Sequence, residues 1–230
     1  MQIFFLPGMD GTGDLFEPLI RELGSELELR VISYPHDVAL SYGQLVDVVR
    51  AQLPEEKAFI LVAESFSGPI GYVIASDAPD NLKGVVFLAT FLGPPNRVVR
   101  LINRLPLALL FRMPLPTILV KWFLLGWGAT EALVTAFRRS LGRVTAEVLA
   151  SRVSEMSRLK GGTVPVTVPC AYISPTKDRL VPRDRVNEFL EVAPGIEVVA
   201  IEGPHCIAQT RPRECAEVIK RYAFMASAQK

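Results

Sequence analysis

Residues 59–71 read Phe59-Ile60-Leu61-Val62-Ala63-Glu64-Ser65-Phe66-Ser67-Gly68-Pro69-Ile70-Gly71, and the succession of strand, turn and helix within them frames the rest of the chain. An apolar run of strand length enters a tight turn at Ser65, after which Ile70, Val73 and Ile74 fall at helical spacing. Such a turn holds a serine hydroxyl above the carboxyl edge of a sheet, in the setting of a nucleophile elbow. The turn needs small residues two before and two after the serine. Ala63 and Ser67 meet that need where Gly-x-Ser-x-Gly is the usual pattern. The same spacing recurs at Ala39-Leu40-Ser41-Tyr42-Gly43, so context must separate the two serines. Ser41 follows a Pro-His-Asp loop and precedes a helical run, which predicts a helix cap. Ser65 follows a strand, and its plainer reading is likewise a cap on the helix behind it.

The surrounding composition is that of one domain with an insertion. The chain has 230 residues, half of them hydrophobic, which suits a full-sized core and argues against disorder. A net charge of +1 gives no footprint for nucleic acid. Cys170, Cys206 and Cys215 are odd in number and lack metal-ligand spacing, so reduced thiols and a cytoplasmic location are expected. His36 and His205 are the two histidines and neither belongs to a zinc motif, so no metal and no cofactor is expected. Met1 leads directly into a short strand, so no signal peptide is expected. The most apolar region, Leu105 to Gly128, is broken by Pro106, Pro114, Pro116, Arg112 and Lys121 and makes a poor membrane span.

Strands alternate with helices through the first part of the chain. A strand from Ile3 to Leu6 runs into Pro7-Gly8-Met9-Asp10-Gly11-Thr12-Gly13, a glycine-rich loop whose exposed N–H groups suit negative charge. The loop is neither a Walker loop nor a dinucleotide fingerprint. A helix over 14–23 follows, with Asp14 and Glu17 spaced as a capping box. Strands are expected over 28–34 and 84–90, and a helix over 42–53. This alternation predicts a doubly wound parallel sheet with helices on both faces and a site at the carboxyl ends of its strands.

The alternation stops at Gly93. Helical patterns at 131–141 and 144–159, the second with Val148, Leu149, Val153, Met156 and Leu159 on one stripe, predict a helical lid over 95–160 inserted in a core of 1–94 and 161–230. Between Asn96 and Lys160 lie eleven of the 25 Lys and Arg but three of the 24 Asp and Glu, so this segment carries +8 and the remainder −7. Strands resume at 168–174 and 196–201, separated by a helix over 183–192 and followed by a closing helix over 213–224.

Ser65, Asp178 and His205 now stand, in that order, after three strands. A serine hydroxyl is a weak nucleophile until a base takes its proton; an imidazole can do so near neutral pH, and a carboxylate fixes its tautomer. Taken singly, Asp178 could cap a turn and His205 could be an ordinary histidine at a strand end. Asp184 and Glu202 are the alternatives to Asp178, His36 could border a pocket, and Cys206 reads as packing.

Through Pro7-Gly8-Met9-Asp10-Gly11, Ala63-Glu64-Ser65-Phe66-Ser67-Gly68, Asp178-Arg179-Leu180-Val181-Pro182 and Gly203-Pro204-His205, essentially the whole chain resembles the α/β-hydrolase superfamily and its lid-bearing serine carboxylesterases. The resemblance implies Ser65 as nucleophile, His205 as general base and acid, Asp178 as orienting carboxylate, and the backbone N–H groups of Met9 and Phe66 as oxyanion hole. It also implies a six-stranded, all-parallel sheet without the two N-terminal strands common in the family, leaving the 28–34 strand at an edge. Phe111, Trp122, Phe123 and Trp127 are candidate substrate contacts. The expected activity is hydrolysis of short- to medium-chain carboxylic esters. Thioesterase, acyltransferase, acyl-carrier methyl-esterase and non-catalytic receptor remain alternatives on the same fold. The basic lid could dock an anionic acyl carrier or lipid surface.

Overall fold

The computed structural model describes residues 1–102 and 105–228. Six strands, β1 (Gln2–Leu6), β2 (Glu28–Val31), β3 (Phe59–Glu64), β4 (Leu82–Leu88), β5 (Cys170–Pro175) and β6 (Glu197–Ile201), form one sheet in the order β2-β1-β3-β4-β5-β6. Every pairing is parallel, and one row of the register runs Phe5, Val62, Val86, Ala171, Glu197 across five strands. The all-parallel, doubly wound sheet is the one expected. It explains why β1 and β3 are apolar at nearly every position: helices cover both faces, so both sets of alternating side chains are buried.

On one face Phe4, Leu6, Leu61, Phe87 and Tyr172 pack against α2 (Tyr42–Arg50), α3 (Gly68–Ser76) and α9 (Val186–Val192). On the other Ile3, Phe5, Ile60, Val62 and Ile173 meet α1 (Glu17–Leu23) and α10 (Pro212–Ala228). β2 is an edge, as expected, and its exposed Glu28 and Arg30 blunt it against pairing with another chain.

Local differences from the sequence reading have physical causes. β2 stops three residues early, because the chain turns over the loop after β1, where the Tyr34 N–H donates to the Gly11 carbonyl at 2.8 Å. The Asp14–Glu17 capping box does not form: Asp14 pairs with Arg143 and Glu17 with Arg21. Ser41 does cap α2, in a full capping box with Gln44.

Between β4 and β5 the described residues contain helices and no strand: α4 (Arg97–Ile102), α5 (Leu107–Phe111), α6 (Thr117–Val120), α7 (Glu131–Gly142) and α8 (Ala146–Arg158). Thr145 caps α8, and Val148, Leu149, Val153 and Met156 are buried along the expected stripe. This segment touches the loops that follow several strands. The Thr145 N–H donates to the His36 carbonyl, the Cys206 N–H to Leu124, and the Arg179 guanidinium to the Trp122 carbonyl.

α3 lies close on β3 because Gly71 faces Ala63; a Cβ at position 71 would stand 2.8 Å from the Ala63 Cβ, which the backbone fixes in place. Alanine would favour the helix over glycine by about 0.5–1 kcal/mol, whereas forcing a methyl into a packed core costs roughly 1–3 kcal/mol. The clash outweighs the propensity. Gly71→Ala is therefore expected to lower the midpoint of urea unfolding, and an unchanged or raised midpoint would refute the close packing of α3 on β3.

Candidate active site

β3 is buried at all six residues and delivers Ser65 at its carboxyl end. Ser65 adopts φ 47°, a left-handed backbone that costs a non-glycine residue roughly 1–3 kcal/mol. Neighbours hold it there. The Thr90 hydroxyl donates to the Ser65 carbonyl, and the Ser67 hydroxyl donates to the Pro7 carbonyl while sharing a 2.6 Å hydrogen bond with the Tyr34 hydroxyl. Ser67 thus occupies a usual glycine position in an ordinary right-handed backbone (φ −84°), and its side chain bonds across to the loop after β1. The glycine requirement moves one residue on: a Cβ on Gly68 would overlap the Thr90 side chain.

His205 and Asp178 arrive on the loops after β6 and β5. Backbone bonds from Thr176 N–H to Ile201 and from Lys177 N–H to Gly203, both 2.9 Å, hold those loops side by side. Asp178 Oδ1 accepts from the N–H groups of Leu180 (2.8 Å) and Val181 (2.9 Å), which fixes the carboxylate and leaves Oδ2 facing His205 Nδ1 at 2.8 Å. His205 Nε2 lies 2.9 Å from Ser65 Oγ. With Nδ1 donating to the carboxylate, Nε2 is free to accept the serine proton.

Of the alternative carboxylates, Glu202 is exposed and paired with Lys177, and Asp184 is exposed beside Arg185. The His36 carbonyl accepts from the Thr145 N–H, and its imidazole has no hydrogen bond to Ser65 or Asp178 among the described residues. Cys206 is buried in an apolar cluster with Leu15, Val120 and Leu125, and burial holds its thiol well above the usual range.

Burial disfavours a charged His205, yet the charge and hydrogen bond of Asp178, joined by Glu64, outweigh it and leave the imidazole above its ordinary 6.5. Glu64, the residue before the serine, is pushed up to about 7, chiefly by burial and further by the charge of Asp10, against a hydrogen bond from Gln209 at 3.0 Å.

Several supports escaped the sequence reading. Arg152 of α8 is 2% exposed and donates to the Met9 carbonyl at 2.7 Å and the Pro35 carbonyl at 2.9 Å, beneath the Tyr34 and Phe66 rings. Asp10 accepts from the Thr12 N–H at 2.9 Å and the Ser140 hydroxyl at 2.7 Å. Together they bind the loop carrying Met9 to the helical segment. The signal for Arg152 was present as a cation interrupting the apolar stripe of α8.

Phe66 is fully buried and stacked on Tyr42; its N–H follows Ser65 directly in the chain. Met9 and Phe111 are both partly buried against the same two apolar clusters. Phe123 is exposed, and Trp122 and Trp127 form an exposed T-shaped pair at 5.8 Å. The two tryptophans line a cleft of about 1370 Å³ that reaches Gly203 and Pro204 but is not walled by Ser65. Of the four aromatic candidates, Phe111 therefore shares its apolar neighbours with Met9, while the other three sit outward. Among the described residues no group of three or more His, Cys, Asp or Glu side chains could hold a metal ion, and no helix is long and apolar enough to cross a membrane.

Solved structures with this fold include the enol-lactonase from Burkholderia xenovorans LB400 (16% identity, TM-score 0.77, 97% of this chain and 91% of that one) and an esterase from Exiguobacterium antarcticum (13%, 0.78, 96% and 91%). MenH from S. aureus is similar too (13%, 0.78, 99% and 94%). No curated protein matches the chain in sequence. The model of the alpha/beta hydrolase family matches residues 3–218, nearly the full length, and with the parallel sheet and the strained turn at Ser65 it places this chain in the alpha/beta hydrolase family.

Proposed function

We propose that this chain is a serine hydrolase of carboxylic esters with short- to medium-chain acyl groups, working through an acyl-enzyme on Ser65. The observation that carries the reading is the unbroken path from Ser65 Oγ to His205 Nε2 and from His205 Nδ1 to Asp178 Oδ2, at 2.9 and 2.8 Å, beneath a strained turn. His205 takes the serine proton as Oγ attacks the ester carbonyl, and Asp178 orients the ring and stabilises its charged form. The N–H groups of Phe66 and Met9 serve as the oxyanion hole; each such donor is typically worth ~10²–10³ in rate. The leaving alkoxide departs with the proton from His205, and a water activated by the same imidazole cleaves the acyl-enzyme. In this reading residues 95–160 form a lid on the 1–94 and 161–230 core.

Support comes also from the strain itself. A receptor has no need of a serine kept in a costly backbone conformation with an imidazole on its hydroxyl, and that favours turnover over binding alone. Two of the similar structures carry the names esterase and enol-lactonase, and a lactone is a cyclic ester.

Ser65→Ala is expected to lower kcat on p-nitrophenyl butyrate by on the order of 10⁶, because the three side chains act as a unit, while far-UV circular dichroism stays unchanged. Activity near wild type would end the proposal. The pH profile offers a second check. Acylation needs neutral His205, and its raised pKa puts the acid limb of kcat/KM above pH 6.5. Glu64→Gln removes a negative charge that favours the imidazolium, so the limb should move to lower pH. A limb that stays in place would remove Glu64 from the electrostatics of the site.

Glu64 also carries a stability consequence. Its pKa is about 7 in the folded chain against 4.5 ordinarily, so the fold favours the neutral acid and loses stability as pH rises from 4.5 through 7. Glu64→Gln should raise the melting temperature relative to wild type at pH 8, with the difference shrinking toward pH 5. A difference independent of pH would contradict the buried ionisation.

A further inference from the structure

The outer face of the helical segment is unlike an ordinary solvated surface. Among the described residues, eighteen large apolar side chains are exposed, and eleven of them lie between Val98 and Trp127. Each short helix here is apolar on both sides. α4 buries Val99 and exposes Leu101 (63%), α5 buries Leu107 and exposes Leu109 (60%), and α6 buries Val120 and exposes Ile118 (61%). Inward burial explains one side of each helix and leaves the other without an intramolecular reason. Isolated exposed leucines are commonplace; eleven large apolar side chains within thirty residues mark an interaction surface.

The charge of the same stretch says what covers it. From Asn81 to Thr130 there is no Asp or Glu, whereas Lys83, Arg97, Arg100, Arg104, Arg112 and Lys121 are all cationic; Arg112 and Lys121 are paired with Glu147 and Glu131 of the following helices. Arg104 lies outside the described residues. Arg97 and Arg100 are exposed, with no ion pair among the described residues. Arg179 adds a further cation, stacked 3.7 Å above the Trp122 ring. A two-fold contact of this face with itself in a second copy of the chain would set one +8 segment against another. An anionic bilayer answers both features, with lipid phosphates meeting the arginines and the interfacial zone taking up the leucines and tryptophans. The remaining −7 of the chain is repelled by such a surface, which orients the molecule with this face down.

We propose that the face carried by residues 97–127 docks the protein onto anionic phospholipid surfaces as a peripheral, interfacial contact. The described helices are too short to span, so the docking is shallow and reversible. The docked face belongs to the same segment whose inner side binds the loops of Met9 and His205, so docking sets the candidate active site next to the lipid. The inference does not depend on the hydrolase reading, because binding can be measured with the Ser65→Ala protein.

The chain has two tryptophans, Trp122 and Trp127, and both sit in this face, so tryptophan emission excited selectively over tyrosine reports on it alone. The full chain is mixed with phosphatidylcholine vesicles or with vesicles containing about one third phosphatidylglycerol, and binding is read by flotation and by emission wavelength. Flotation with anionic vesicles, a blue-shifted emission, and at least about a tenfold weaker response to zwitterionic vesicles are expected, declining in high salt as charges are screened. Leu101→Ser with Leu109→Ser should weaken binding about tenfold or more at an unchanged melting temperature; Arg97→Gln with Arg100→Gln should remove the preference for anionic lipid. Absence of flotation with an unshifted emission would overturn the proposal. So would capture of an acidic acyl carrier protein in place of vesicles, or a salt-resistant dimer that buries both tryptophans.

Discussion

A left-handed backbone at Ser65 is unfavourable in isolation, and it persists because its neighbours leave it no other conformation. β3 is bonded on both sides, to β1 and β4, so the strand that delivers the serine cannot shift along its axis. Thr90 holds the serine carbonyl, Tyr172 holds the Thr90 carbonyl at 2.7 Å, and Ser67 is bound to Pro7. Relaxing the turn would break these bonds and unseat α3, whose close approach depends on Gly71. The Ser67 bond also joins this turn to the loop after β1.

Buried charge is concentrated around this turn, and nearly every member is matched. Asp178 accepts two backbone N–H groups as well as His205, Arg152 donates to two carbonyls, and Asp10 collects donors from Thr12 and Ser140. Desolvated charges without such partners would cost several kcal/mol each. Glu64 is the exception. Among the described residues its hydrogen bond comes from Gln209, and burial pushes its pKa up to about 7, so it is partly neutral near physiological pH. A carboxyl that changes charge near pH 7 beside His205 ties the state of the imidazole to the pH of the surroundings.

The helical segment has two faces with separate tasks. Inward, Arg152, Ser140 and the Leu124 carbonyl bind the loops after β1 and β6, and those bonds connect residues 82 to 143 positions apart. Outward, apolar side chains stand beside Arg97 and Arg100, which have no ion pair among the described residues. One segment therefore links the geometry of the site to the surface proposed to meet lipid, and a change on the outer side has a short mechanical route to Met9 and His205.

The alternation of strands and helices, the parallel sheet that follows from it and the turn at Ser65 were legible in the chain itself, because each rests on local rules: apolar runs of strand length, helical spacing, and small residues around a serine; the order of the strands in the sheet was not. The capping of α2 by Ser41 and the buried stripe of α8 follow for the same reason. The partner of His205 was narrowed by position after a strand, but its selection over Glu202 and Asp184 depended on two backbone N–H groups turning one carboxylate inward. The role of Arg152 and the outward placement of Trp122, Phe123 and Trp127 were likewise settled only in three dimensions. Periodicity records which side of an element is apolar; it does not record which distant element packs against that side, and when both sides are apolar, as in α4 to α6, only the assembled core decides which one is left to the solvent.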